Sequence, residues 1–207
     1  TGVTATENAQ TIDAQSTDAQ ALTPEEQKAQ ELQQVYDMPV ESNGYKDWPQ
    51  GPGTYGEAGI VMEVGTGAIL YAKNIDAHEY PASITKVLTA LVALENGQLT
   101  DNVTFSHDSV AFLQRGDSSV GLKEGNVITL DQAMHLASAN EAAYAIGESV
   151  GVNAGHDYNW FIEQMNSRCK ELGGENSNFA NTNGLHDPNH YTCARDMALI
   201  GRELFKH

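Results

Sequence analysis

One apolar stripe constrains this chain more than any other feature. After Pro81, residues Ile84, Val87, Leu88, Leu91 and Val92 recur at i, i+3, i+4, i+7 and i+8, the spacing of a helix that buries one face along its whole length. A helix of this kind over 84–96 has to be covered, so the chain must build a packed core around it. Ser83 and Lys86 stand at its start and off the stripe. Three residues apart on a helix they share a face, which brings an amine within hydrogen-bond reach of a hydroxyl. Unpaired N–H groups and the helix dipole in the first turn favour negative charge developing on the Ser83 oxygen. A lysine partly enclosed by a core gives up its proton more easily than in water. Lys86 can then act as base for a Ser83 nucleophile. The bare spacing also fits an N-cap serine beside a solvated lysine, the commoner origin of Ser-x-x-Lys.

The surroundings of that helix read as one domain over 51–207 preceded by an acidic, flexible segment over 1–50. The first stretch is Thr, Ala, Gln and acid with almost no large apolar residue, too little to offset the entropy of ordering. Within it, Thr23 followed by Glu26 resembles a capping box and predicts a short helix from Pro24 to about Tyr36. From Tyr55 the pattern changes. "AGIVMEV" and "AILYAKN" are β-rich runs joined by Gly65-Thr66-Gly67, a hairpin signal. Helical patterns follow at about 130–150 with a break near Ser138, at 156–172 and at 194–205, which together suggest an α/β or α+β layer fold. With 207 residues, 40% of them hydrophobic, the chain can bury a substantial core. Its best apolar run, Val87 to Leu94, is broken by Thr89 and is far short of a membrane span. A net charge of −17 argues against nucleic acid and anionic lipid as partners. The N-terminus carries no basic-then-apolar pattern from which a location could be read. Cys169 and Cys193, without CxxC spacing, permit at most one bridge.

A second polar element lies in "LDQAMHLASANEAAYAIGESVG". The helical pattern breaks at Ser138-Ala139-Asn140, so a hydroxyl and a carboxamide are presented at a turn, able to pass a proton and to hold a carbonyl. Ser138 also fits a helix cap, with Glu141 completing a capping box. Other patterns carry less. Arg115-Gly116-Asp117 spells an adhesion triplet that recurs by chance. His186 and His190 flank Pro188, which forbids a helix with both imidazoles on one face, so they read as structural histidines in a turn. Trp160, Phe161 and Met165 follow helical spacing and read as core.

Pro81-Ala82-Ser83-Ile84-Thr85-Lys86, then Ser138-Ala139-Asn140, then "FANTNGLHDPNHYTCARDMALIGREL" from Phe179 to Leu204, resemble in order the D-alanyl-D-alanine carboxypeptidases of the low-molecular-mass penicillin-binding protein type. A Ser-x-x-Lys, a Ser-x-Asn and a Lys-Thr-Gly element mark that group. The resemblance, over roughly 55–207, implies a β-lactamase/transpeptidase-like α/β/α sandwich around an antiparallel sheet whose first strands are the hairpin at 59–73. It implies an extracytoplasmic serine peptidase acting on peptidoglycan stem peptides that end in D-Ala-D-Ala, acylated by β-lactams, with no cofactor or metal and with any membrane tether outside this chain. By that resemblance Ser83 is the nucleophile, Lys86 its base, Ser138 a proton relay and Asn140 a substrate-backbone ligand. Lys-Thr-Gly is missing from the 207 residues. Lys123-Glu124-Gly125 precedes Ser-Ala-Asn, lacks the hydroxyl and matches a turn. In the family the missing strand supplies an oxyanion donor, so the 207 residues by themselves are expected to be inactive. A non-catalytic binding protein on the same scaffold is the alternative. A class A β-lactamase is disfavoured, because Glu175 is followed four residues later by Phe179 and not by asparagine. An extracytoplasmic location would let a Cys169–Cys193 bridge persist.

Overall fold

A computed structural model describes residues 22–136 and 138–207; residues 1–21 of the N-terminal segment lie outside the described residues. In chain order the elements are α1 (Pro24–Tyr36), β1 (Gly59–Met62), β2 (Ile69–Lys73), α2 (Thr85–Asn96), β3 (Asn102–Thr104), α3 (His107–Ala111), β4 (Val127–Thr129), α4 (Leu130–Met134), α5 (Asn140–Asn153), α6 (Tyr158–Glu171) and α7 (Ala194–Leu204). The α/β class stands, with two two-stranded antiparallel sheets beside the helices. β1 pairs with β2, Ile60 opposite Ala72, with an irregularity between Val61 and Met62; β3 pairs with β4, Val103 opposite Ile128.

α2 is the centre of the molecule, packed against α5, α6 and α7. Its Leu88, Leu91 and Val92 are fully buried with Ala145, Ile146, Phe161, Met165 and Ile200 from the surrounding helices, as a continuous apolar stripe requires. The stripe begins at Val87, three residues later than its spacing predicts. Ile84 is 56% exposed, because Ala82–Ile84 form a 3₁₀ turn ahead of the α-helix and the tighter winding takes Ile84 out of phase with the residues that follow. Trp160 is half-buried and stacks on His156, while Phe161 and Met165 are core.

The capping box of α1 is present, Thr23 accepting from Glu26 N and Glu26 reaching back to the Thr23 backbone. Residues beyond α1, which composition assigns to the flexible segment, run along β2 as a strap. Ser42 Oγ accepts from Ala72 N at 3.2 Å and Trp48 Nε1 donates to Leu70 O at 2.9 Å. Lys73, at the end of β2, is fully buried. Its ammonium donates to Val35 O at 2.6 Å, at the end of α1, and to Thr54 O at 2.7 Å, fastening the strap at its two limits. Local polarity conceals this, because the strap is held by single anchors and main-chain carbonyls and has no apolar face of its own.

Cys169 and Cys193 are buried free thiols and form no disulfide. Burial pushes each up to about 11. Cys193 serves instead as the N-cap of α7, its sulfur accepting from Asp196 N.

Candidate active site

The 3₁₀ turn presents Ser83 at the surface on strained backbone. Ala82 sits at φ 48°, a left-handed conformation that costs a residue with a Cβ about 1–2 kcal/mol. The turn at Asn183-Gly184 holds it there. Gly184 has φ 85°, and a Cβ on it would lie 1.7 Å from the Ala82 carbonyl oxygen, so only glycine allows the two turns to touch.

Lys86 lies one helical turn on and half-buried. Its Nζ donates to Asn183 O at 2.6 Å, to Asn140 Oδ1 at 2.9 Å and to Ser83 Oγ at 3.2 Å. Burial holds the ammonium below its ordinary value, opposed by the Glu141 carboxylate. A neutral amine keeps two N–H groups, enough for the two shorter bonds, and its lone pair then faces the Ser83 hydroxyl. The arrangement can withdraw a proton from Ser83.

Long-range bonds fix these groups. Glu141 is fully buried and does not turn back on Ser138 as a capping box would. Its Oε1 accepts from Ser119 Oγ at 2.7 Å, Val120 N at 2.9 Å and Gly121 N at 3.2 Å, while Asn140 N donates to Ser118 O at 2.8 Å. Loop 118–121 is thereby clamped to the start of α5. The other Glu141 oxygen is buried without a partner among the described residues. On the opposite side His190, 1% exposed, ties α2 to loop 180–190. Its Nδ1 accepts from Ala180 N at 3.0 Å, so Nε2 carries the hydrogen and donates to Thr85 Oγ1 at 2.7 Å. Burial lowers this imidazole to about 4 and keeps it neutral. Thr89 Oγ1 donates to Thr182 O at 2.7 Å, a second tie between α2 and that loop.

The structure therefore brings Ser83, Lys86 and Asn140 into one hydrogen-bonded group. Ser138, at φ 63°, lines the same cavity of about 310 Å³ as Ser83 and Lys86, over a floor of Ala139, Ala142 and Ile146; its hydroxyl bonds neither Ser83 nor Lys86. Sequence spacing misses Asn183, Glu141 and His190. Glu141 and His190 were visible as polar residues inside motif segments, whereas the Asn183 contact is made by a main-chain carbonyl that no side-chain pattern marks. One group of metal-ligating side chains gathers among the described residues, Glu95, Glu203 and His207. The Arg168 guanidinium already occupies both carboxylates, bidentate on Glu95 and 3.0 Å from Glu203, which is the geometry of an ion-pair network.

A serine on a strained turn, a half-buried lysine within hydrogen-bond reach of it and an amide from a neighbouring helix form one polar cluster on a mixed α/β scaffold. The chain belongs to the peptidase S11 family, D-alanyl-D-alanine carboxypeptidase, whose model matches residues 49–207. It is 36% identical over 156 residues to D-alanyl-D-alanine carboxypeptidase DacA of Haemophilus influenzae, covering 71% of this chain and 38% of that protein. It is 33% identical over 159 residues to DacF of Bacillus subtilis, covering 73% of this chain and 39% of that protein. The chain thus spans about two fifths of the length of these relatives. Among solved structures, penicillin binding protein 5 from Haemophilus influenzae superposes with a TM-score of 0.67 at 32% identity, over 76% of this chain and 47% of that one. The Streptomyces K15 DD-transpeptidase gives 0.65 at 28% identity, over 72% and 60%. These likenesses place the fold among the penicillin-binding-protein α/β folds. No helix of the described residues is long and apolar enough to cross a membrane.

Proposed function

We propose that the protein is a serine-type D-Ala-D-Ala carboxypeptidase that removes the terminal D-alanine from peptidoglycan stem peptides through an acyl-enzyme, and that β-lactams acylate it at the same serine. The observation that carries this reading is the placement of Lys86 Nζ 3.2 Å from Ser83 Oγ while two shorter bonds to Asn140 and Asn183 hold the amine in place. Neutral Lys86 takes the Ser83 proton as Oγ bonds to the carbonyl carbon of the penultimate residue. The C–N bond to the terminal D-alanine then breaks, and its amine receives a proton through Ser138. Water hydrolyses the resulting ester with Lys86 again accepting the proton. Asn140 has a second task, since its side-chain N–H₂ remains free to hold the substrate backbone. The substrate places the protein outside the cytoplasmic membrane, secreted, periplasmic or tethered to the envelope, with a role in cell-wall maturation and cell shape.

The test is acylation. Penicillin added to a complete version of the protein, one that carries the Lys-Thr-Gly strand, should raise its intact mass by one acyl adduct, and peptide mapping should place that adduct on Ser83. An adduct on any other residue, or none, overturns the assignment.

A further inference from the structure

β1 lies on one edge of β2, and no strand lies on the other among the described residues. Alternate residues of a strand turn their N–H and C=O groups to opposite edges, so Leu70, Ala72 and Asn74 face outward, away from β1. Side chains of the strap meet all three. Trp48 Nε1 donates to Leu70 O at 2.9 Å, Ala72 N donates to Ser42 Oγ at 3.2 Å, and Asn74 N donates to Glu41 Oε1 at 3.0 Å. Bonds at i, i+2 and i+4 along one edge are those a neighbouring strand would make, supplied here by an indole, a hydroxyl and a carboxylate. No backbone-to-backbone bond joins 41–48 to β2 among the described residues. The three side chains are held in position beforehand. Glu41 and Ser42 lie in a 3₁₀ turn over Glu41–Gly44. Gly51 N donates to Asn43 Oδ1 at 2.6 Å and Asn43 Nδ2 donates to Gly51 O at 3.1 Å, which folds the strap across itself. The family match begins at residue 49, so Glu41, Ser42 and Trp48 all lie ahead of it. The edge they cover needs covering. Ile69-Leu70-Tyr71-Ala72 is uncharged and mostly β-favouring, and Leu70 is 40% exposed. An open edge of that kind is a template for another strand.

We propose that residues 41–48 are an edge guard, three side chains standing in for a neighbour strand, and that the edge beneath them takes the β2 edge of a second copy of this chain when the guard is displaced. The groups under the guard are self-complementary. In an antiparallel pair with a two-fold axis at Tyr71, the Ala72 N–H of each copy reaches the Leu70 carbonyl of the other, and the Leu70 N–H reaches the Ala72 carbonyl. Ser42 now holds that Ala72 donor and Trp48 that Leu70 acceptor. Guard and second copy therefore compete for the same groups. The register also separates the charges. Each Lys73 falls opposite Ile69 of the other copy, so the two ammonium groups stand four residues apart, roughly 13 Å along the strands, beyond the screening length at physiological salt. Pairing joins the two β1–β2 sheets into one of four strands. The inference is independent of the chemistry at Ser83.

The experiment compares a complete version of the protein, carrying the Lys-Thr-Gly strand, with a variant in which Glu41→Ala, Ser42→Ala and Trp48→Phe remove the three side-chain bonds together. The parent should sediment as a monomer and the variant should dimerise with rising concentration. At dilute, monomeric concentration the Ala72 and Asn74 amides of the variant should exchange with deuterium at least about tenfold faster than in the parent, and the Ala72 amide should regain protection in the dimer. Adding Leu70→Lys, a charge on the pairing edge, should return the variant to monomer. Unchanged exchange at both amides, or a parent that dimerises as readily as the variant, overturns the guard. A variant that stays monomeric up to about 1 mM, where even weak pairing is populated, or a dimer in which Ala72 stays unprotected, overturns the pairing of β2 edges. Should circular dichroism show the triple variant unfolded, Ser42→Ala alone, a nearly isosteric change, decides the guard: Ala72 should exchange faster while Asn74 does not, and equal rates in parent and variant overturn it.

Discussion

Lys86 faces three acceptors, one of them the Ser83 hydroxyl oxygen. Replacing it with alanine removes the proposed base and leaves the apolar stripe of α2 intact. Lys86→Ala should therefore abolish penicillin acylation of a complete version carrying the Lys-Thr-Gly strand while the far-ultraviolet circular dichroism stays unchanged; a rate within tenfold of the parent removes Lys86 from the base role. Glu141 bears on the same amine. Its carboxylate raises a lysine pKa that burial lowers, so neutralising it deepens the depression. The base form then dominates at lower pH, and the rising limb of the acylation rate against pH should move to lower pH in Glu141→Gln. A shift to higher pH, or none, contradicts the coupling. Ser83, Lys86 and Asn140 were legible in the sequence because spacing along a helix and a break between helices are local patterns. Asn183 O and Glu141 were not, since their partners lie 97 and about 20 residues away and are chosen by packing.

Elements meet the site through contacts that admit little substitution. Gly184 on loop 180–190 and Ala82 ahead of α2 touch backbone to backbone, and Gly184→Ala sets a Cβ inside van der Waals contact at a positive φ. A loss of at least about 2 kcal/mol is expected in chemical unfolding, together with slower acylation; full retention of both would show that the turns separate freely. The bond from His190 to Thr85 makes the same joint sensitive to acid. The folded imidazole titrates near 4 against about 6.5 when unfolded, so the unfolded chain binds its proton first as pH falls. The stabilisation is complete above about 6.5 and is lost as pH drops toward 4. Thermal midpoints between pH 7 and 4 should fall less steeply in His190→Gln than in the parent. Helix limits were largely readable from caps and periodicity, α1 from its capping box and α5 from the break at Ser138. The 3₁₀ turn was not, because its Ala82 packs against Gly184, 102 positions downstream in the chain.

Across the whole molecule, apolar surface remains open between α2 and α7. Ile84, Val87, Met197, Leu204 and Phe205 line a groove of about 290 Å³, and Phe205 is 82% exposed. The 207 residues contain no Lys-Thr-Gly, and one oxyanion donor is worth roughly 2.7–4 kcal/mol in this class of chemistry. We expect the 207-residue chain to release little D-alanine from a diacetyl-Lys-D-Ala-D-Ala peptide, and a version carrying a Lys-Thr-Gly strand to release it readily at equal concentration; comparable turnover by both contradicts the reading of the cleft. The organisation of the helical core was legible because α2 must be surrounded, whereas the strap along β2 was hidden by its polar sequence. Its fastening by Lys73 has a practical consequence. An amine enclosed by two carbonyls is shielded from acylating reagents until the strap lifts. Lys73 should accordingly be the slowest lysine to react with an N-hydroxysuccinimide ester, and the rate at which it does so times the departure of residues 35–54 from β2. Once modified, it can no longer fasten them, and the label that reports the opening also makes it permanent.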